Sequence, residues 1–223
     1  MTPGPASKVI ARAGIADAWR DVYRGHLKRA LDLGIAFVLL LALCPLFLVV
    51  AVAVRFRLGR PVFFRQVRLG LHGAPFLLLK FRTMSEARDP NGQLLPDEQR
   101  LTALGRWLRQ TSLDELPQLI NVLQGQISLV GPRPLLPEYR DLYSPAQGRR
   151  HTITPGITGW AQVKGRNLLG WQERFSADLW YVEHYGLVLD LWILWLTLVI
   201  VLRQRGVSSK GFATMPKFAG NGT

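Results

Sequence analysis

A single cysteine, Cys44, among 223 residues excludes an internal disulfide, and its place in an apolar run fits a structural thiol. The four histidines, His26, His72, His151 and His184, are far apart and without ligand-like spacing, which argues against a zinc site built on them. Acid is scarce as well. Fifteen Asp and Glu face 28 Lys and Arg, and the net charge of +13 calls for an anionic partner: nucleic acid, anionic lipid or a phosphorylated substrate. Neither G-x-x-x-x-G-K-S/T nor G-x-G-x-x-G occurs, so the P-loop and the dinucleotide fingerprint are both missing. Residues 1–25 lack an apolar run and the order of regions of a signal peptide, and read as an extension leading into an interfacial helix. There is no internal repeat. The length suits one domain with appendages.

What is present begins with a charge-free stretch over residues 33–54. As a helix, 22 residues reach about 33 Å, just enough for a bilayer core of roughly 30 Å. Length alone predicts a single span. Two features favour a re-entrant hairpin instead. Pro45 stands in the middle, where it removes a helix bond, so the chain is expected to bend at Cys44-Pro45. Both flanks are basic, with Arg20, Arg24, Lys28 and Arg29 before and Arg55, Arg57, Arg60, Arg65 and Arg68 after. Moving the second group across opposes the membrane potential by about 11 kcal/mol per 100 mV. Asp32 is expected to pair with a nearby Arg or Lys at headgroup level.

Residues 61–67 and Pro75–Phe81 read as short strands joined by a turn at 69–73. On an extended chain Lys80 and Arg82 share a face, either to grip a phosphate or as a solvated edge. Residues 96–109 and 135–150 read as helices, the first placing Arg106 and Arg109 on one face. The stretch 154–167, rich in Gly and Pro, is too irregular for a long element and can bring Arg166 to a ligand. Residues 171–185 read as a helix with Asp178 on or beside its apolar stripe, where a salt bridge and a site role both fit. Leu187–Leu202, interrupted by Asp190, is short for a span; Trp192 and Trp195 share a face and suit a helix in the membrane interface.

The adjacent acids Asp114 and Glu115 stand out in this basic chain. Apolar residues at 116, 119, 120 and 123 predict a helix to about Gln124, stopped by Gly125. Pro117 must lie in its first turn, which makes Asp114 the best N-cap. Ser112 and Glu115 also fit a capping box. A capped helix and a functional dyad therefore both remain open. Arg109 before the pair, and Arg133 between two prolines after it, favour the second.

Taken together, Lys80-Phe81-Arg82-Thr83-Met84, Ser112-Leu-Asp-Glu-Leu-Pro-Gln118, Ser128-Leu-Val-Gly-Pro-Arg-Pro134, Pro155-Gly-Ile-Thr-Gly159, Gly165-Arg-Asn167 and Asp178-x-x-Tyr181 resemble the bacterial sugar transferases, or monotopic phosphoglycosyl transferases. The resemblance covers residues 27–218. It implies a mostly helical α/β fold: a re-entrant membrane helix over 26–57, a cytoplasmic catalytic domain with a β-hairpin over 58–186, an interfacial helix over 187–205 and a tail over 206–223. It implies transfer of a sugar-1-phosphate from a UDP-sugar to polyprenyl phosphate at the inner face of the bacterial plasma membrane. UMP leaves, Mg²⁺ is the cofactor, and glycoconjugate assembly begins. By the same resemblance Asp114 is the nucleophile and Glu115 the magnesium ligand. Arg109 and Arg133 lie near the phosphates, Arg166 lies on the nucleotide side, and Asp178 has no assigned role; Lys80 and Arg82 join the phosphate-binding candidates from their shared strand face. Membrane lipids are implied partners, nucleic acid is not, and self-association stays open. The short form resembles the enzyme that uses UDP-diacetylbacillosamine in bacterial N-linked glycosylation, with a UDP-hexose as the alternative donor. Cys44 departs from the serine common before the bend proline, and a thiol bonds a freed carbonyl less well.

Overall fold

The charge-free run folds as two helices. The computed structural model describes residues 18–165, 169–203 and 217–220. In it a helix over Ala18–Ala42 meets a second helix, α2 (Cys44–Leu58), at a bend of 64°. The first contains a π-turn at Tyr23–Leu27 before regular α1, Lys28–Ala42. Pro45 falls in the first turn of α2, among N–H groups that have no intrahelical partner, so the expected bend accommodates it at no cost in helix bonds. Among the described residues no single helix is long and apolar enough to cross a membrane.

The inner faces of the two helices carry the rest of the chain. Val50 and Val54 of α2 bury against Phe81 and Leu108, and the Phe47 ring centroid lies 4.9 Å from that of Phe81. Ala36 of α1 joins a larger cluster with Leu78, Leu119, Val122, Ile127, Val130, Tyr181 and Ile193. Each large side chain buried this way contributes about 1.5–3 kcal/mol, so the pair is built into the core. The outer faces are apolar and bare: Phe37, Val38, Leu41, Leu48, Val49, Val52 and Phe56 are all exposed.

β1 (Phe63–Leu69) pairs antiparallel with β2 (Pro75–Phe81), in register from Phe63 opposite Phe81 to Leu69 opposite Pro75. β1 starts two residues later than expected, after Pro61 and Val62. The helix expected over 96–109 is split into α3 (Asp97–Arg100) and α4 (Ala103–Gln110). Leu101 is extended and forms a bridge with Met84, and Thr102 restarts the helix as an N-cap, its Oγ1 accepting from the Gly105 N–H at 3.0 Å. A Cβ on Gly105 would lie 1.9 Å from the Thr83 carbonyl oxygen, so only glycine lets α4 rest on the chain leaving β2.

α5 (Gln118–Leu123) leads to β3 (Ser128–Val130), which pairs in parallel with β4 (Gly156–Thr158). This second sheet was not expected, because three-residue strands are too short to show a period. A Cβ on Gly156 would lie 2.1 Å from the Gly131 nitrogen, which explains the glycines on both sides. In place of one helix over 135–150, α6 (Pro145–Gly148) sits between two 3₁₀ turns. α7 (Trp160–Lys164), α8 (Trp171–His184) and α9 (Leu187–Leu202) complete the chain, α8 and α9 close to their expected bounds.

Two buried acids tie these elements together. Asp32 has the basic partner expected of it, Lys28 at 4.0 Å, and it also reaches into the protein, accepting from the Ser128 hydroxyl at 2.6 Å and the Leu129 N–H at 3.1 Å. Asp190 accepts from Tyr23 and Lys28 on one oxygen and from Tyr181 on the other, each at 2.6 Å. The first basic flank is likewise turned inward: Arg24 caps the end of α8 through the Glu183 and Tyr185 carbonyls, and Arg29 caps α5 through Val122. The residues after the bend, Arg55, Arg57, Arg60 and Arg65, remain exposed.

Candidate active site

The acid pair does not cap a helix. Asp114 and Glu115 sit in a 3₁₀ turn, Leu113–Glu115, and α5 begins only at Gln118 with Pro117 as its N-cap; neither start has a side-chain capping bond. Ser112 takes the left-handed conformation, φ 58° and ψ 16°, which turns the chain sharply out of α4. For a non-glycine residue this costs on the order of 1 kcal/mol or more, a strain typical of functional loops. The turn leaves Asp114 only 7% exposed beside β2.

Lys80 of β2 and Arg133 both donate to Glu115 Oε1, at 2.6 and 2.7 Å. Burial pushes the Glu115 carboxyl up, but the charges and hydrogen bonds of Arg133 and Lys80 outweigh it and hold Glu115 well below the usual carboxylate range. Asp114 goes the other way. Burial raises it to about 6 and the Glu115 charge adds to this, against the pull of Lys80, Arg109 and Arg133. Neighbouring carboxylates driven apart in this way are a common mark of a site in which two acids have different tasks.

Arg109 lies in the last turn of α4, its Nε donating to Thr83 Oγ1 at 3.1 Å. Arg82 takes a different place from Lys80. It follows the end of β2, and its guanidinium donates to the Arg60 carbonyl at 3.0 Å and lies 3.5 Å from Glu86. Its N–H still continues the ladder to the Val62 carbonyl at 2.9 Å, but the guanidinium goes to Arg60 while Lys80 reaches Glu115. Asp178 is buried against Arg150 at 2.6 Å, the salt bridge that its place on the stripe suggested. Arg166 lies outside the described residues, and Cys44 and Pro45 stand at the helix bend.

The structure also brings in residues that sequence reasoning passed over. Arg68 and Arg174 lie close enough to Arg133 that, after burial, its charge is the next cause lowering both guanidinium groups, Arg68 to about 10. Arg150 donates to the Arg133 carbonyl at 2.8 Å. Only the summed positive charge hinted at such a cluster. Among the described residues no third carboxylate, histidine or cysteine joins the dyad in a metal-holding group. Both cation bonds fall on Glu115 Oε1, so Oε2 carries neither, and this hard oxygen suits Mg²⁺.

A buried acid pair set among arginines and a lysine is an arrangement suited to phosphoryl transfer, and comparison with known proteins agrees. The family model for bacterial sugar transferases matches residues 23–204. The uncharacterized sugar transferase EpsL of Bacillus subtilis is 53% identical over 196 residues, covering 88% of this chain and 97% of that protein. The exopolysaccharide production protein ExoY of Rhizobium meliloti is 38% identical over 199 residues, covering 82% and 88%. The UDP-glucose:undecaprenyl-phosphate glucose-1-phosphate transferase of Xanthomonas campestris is 41% identical over 214 residues; the match covers 91% of this chain but 44% of that longer protein. The chain belongs to the bacterial sugar transferase family.

Proposed function

We propose that this chain transfers a hexose-1-phosphate from a UDP-hexose, glucose being the first candidate, to undecaprenyl phosphate. UMP is released. The relatives named for their substrates use UDP-glucose, and so favour a hexose over the diacetylbacillosamine expected from the short form. The observation that carries the reading is the dyad: Asp114 buried and, among the described residues, bare of a hydrogen-bonded cation, Glu115 held by two.

In the first step an Asp114 oxygen attacks the phosphorus that bears the sugar. The bond from that phosphorus to the bridging oxygen breaks, and UMP leaves with the electron pair. In the second step an oxygen of undecaprenyl phosphate attacks the same phosphorus, the acyl-phosphate bond breaks, and Asp114 is restored as carboxylate. Splitting the transfer lets one site serve donor and acceptor in turn. Each step brings an anion to an anionic phosphorus, so cations must offset the repulsion. At 4 Å one such charge is worth about 4 kcal/mol at an effective dielectric of 20. Lys80, Arg109 and Arg133 are placed for this. Glu115 would hold Mg²⁺ together with substrate phosphates and water, and the ion would supply further neutralisation.

The bent pair reads best as a re-entrant hairpin. The charge-free part of the first helix, residues 33–42, and α2, about 22 Å long, are each shorter than a bilayer core. Their bare apolar faces need a non-aqueous cover, and the exposed arginines after the bend favour return to the cytoplasmic side. Trp192 and Trp195 of α9 are also exposed, which suits an interfacial helix. Cysteines placed singly at exposed His26 and Arg60 in a Cys44→Ser background are expected to react from the same side of inverted vesicles. Labelling from opposite sides would make the pair a span.

The reaction is tested by incubating purified chain with undecaprenyl phosphate, Mg²⁺ and a panel of UDP-sugars. UMP release is expected with UDP-glucose or UDP-galactose. With donor alone, a hexose-phosphate mass is expected on the peptide bearing Asp114. No UMP from any donor would overturn the reaction, and activity without the adduct would overturn the covalent route.

A further inference from the structure

We propose that Asp178 and Arg150 form a positioning pair that holds Arg133 against Glu115, and so sets the cation that meets the donor phosphates. The mention of donor rests on the function proposed above; the juxtaposition does not.

Arg150 and Asp178 are 2% and 4% exposed, 2.6 Å apart. The same nitrogen of Arg150 that donates to Asp178 Oδ2 also donates to the Arg133 carbonyl, at 2.8 Å. From the opposite side, Arg68 Nη1 donates to the Pro134 carbonyl at 3.4 Å. Two guanidinium groups thus grip consecutive carbonyls of the loop that carries Arg133. The loop is already stiffened by Pro132 and Pro134. Upstream, Asp32 fixes the Leu129 N–H and Tyr181 donates to the Val130 carbonyl at 3.2 Å. The only end left to choose a direction is the Arg133 side chain, and it reaches Glu115 at 2.7 Å.

The pair is a poor device for stability alone. Among the described residues Asp178 Oδ1 is buried without a hydrogen-bond partner, and besides Asp178 and the Arg133 carbonyl the Arg150 guanidinium meets the Tyr143 hydroxyl and the Phe175 ring. A buried ion pair with an unmet group is commonly matched or bettered by apolar side chains of similar size. Its value lies in the carbonyl it holds.

That argument gives the test. The double variant Asp178→Leu/Arg150→Met removes both charges together, so no lone charge is left buried. It is expected to melt at or above the temperature of the parent, yet release UMP about 10- to 100-fold more slowly, the scale of a small misplacement. Added to Arg133→Ala, the double variant is expected to slow that variant no further than about threefold, since both act through one side chain. A purely structural pair would give losses that multiply. A reading independent of turnover is phenylglyoxal labelling of Arg133, followed by peptide mass against Arg88. Labelling of Arg133 is expected to rise severalfold in the double variant. Should the parent release no UMP from any donor, the proposed function fails and the labelling alone decides the pair. Unchanged labelling, a near-parental rate or multiplying losses would each overturn the inference.

Discussion

Asp114→Asn is expected to lose UMP release by about 10⁴-fold or more and at the same time to melt at a higher temperature at pH 8. The loss follows from removing the oxygen proposed to take up the sugar phosphate. The gain follows from where that oxygen sits. Burial is the largest cause lifting the Asp114 carboxyl from 3.8 to about 6. The folded state therefore binds the proton more tightly than the unfolded chain. That preference favours folding fully below about pH 4 and is lost as pH rises through about 6. Above that, keeping Asp114 ionised costs roughly 3 kcal/mol, two pK units at about 1.4 each, and a neutral amide avoids it. An unmet amide hydrogen bond would offset part of the gain. At about 2–4 °C per kcal/mol the shift is several degrees, measured in EDTA without donor. The gap is expected to close below about pH 4, where both side chains are neutral. Near-normal turnover would remove Asp114 from the reaction. Equal melting at every pH would show that its burial stores nothing, against the common exchange of stability for activity at a nucleophile.

Much of this site could be read from the chain, and the misreadings share one cause. Pro45, the short apolar run of β2 and the longer one of α9 are local signals, and each placed its element correctly. The acid pair was visible because it contradicts the charge around it. Its setting was not, since Ser112 enters a left-handed conformation that no propensity announces and Pro117 takes the N-cap that Asp114 was expected to fill. Arg82 was grouped with Lys80 on an extended face, and its guanidinium goes to the Arg60 carbonyl while Lys80 reaches Glu115. Arg150 could not be found from sequence: its partner lies 28 residues on, and only the packing of α8 against a 3₁₀ turn brings them together. Asp190 was read only as an interruption of an apolar stretch, whereas Asp32 was expected to have a basic partner. A charge in such a stretch points to a partner, and both acids have several.

Asp190→Ala is expected to be among the most destabilising single changes in the chain, about 3–5 kcal/mol. The carboxylate is 3% exposed and accepts three bonds of 2.6 Å, from Tyr23, Lys28 and Tyr181. Alanine leaves the Lys28 ammonium, itself largely buried, without its close partner, and two tyrosine hydroxyls lose theirs. Burial, the largest cause raising both Tyr23 and Tyr181 above their ordinary range, persists in the variant, so neither tyrosine answers by ionising. Since whole domains are stable by only about 5–15 kcal/mol, such a loss is a large share of the total. Asp190→Asn keeps one acceptor oxygen and is expected to lose about half as much. Adding Lys28→Met to Asp190→Ala is expected to recover part of the loss by removing the stranded charge, because breaking a buried pair costs more than deleting it. Urea denaturation of the three variants in detergent separates these cases through their midpoints. An alanine variant within 1 kcal/mol of the parent would mean that the network is loosely held. The consequence reaches the proposed chemistry, because the single Tyr181 O–H, donated to Asp190 at 2.6 Å, is shared with the Val130 carbonyl at 3.2 Å. Val130 ends the strand that delivers Arg133, so the helix pair, α9 and the catalytic loop meet at one carboxylate. Loss of rate is therefore expected to accompany loss of stability at Asp190, whereas at Asp114 the two part company.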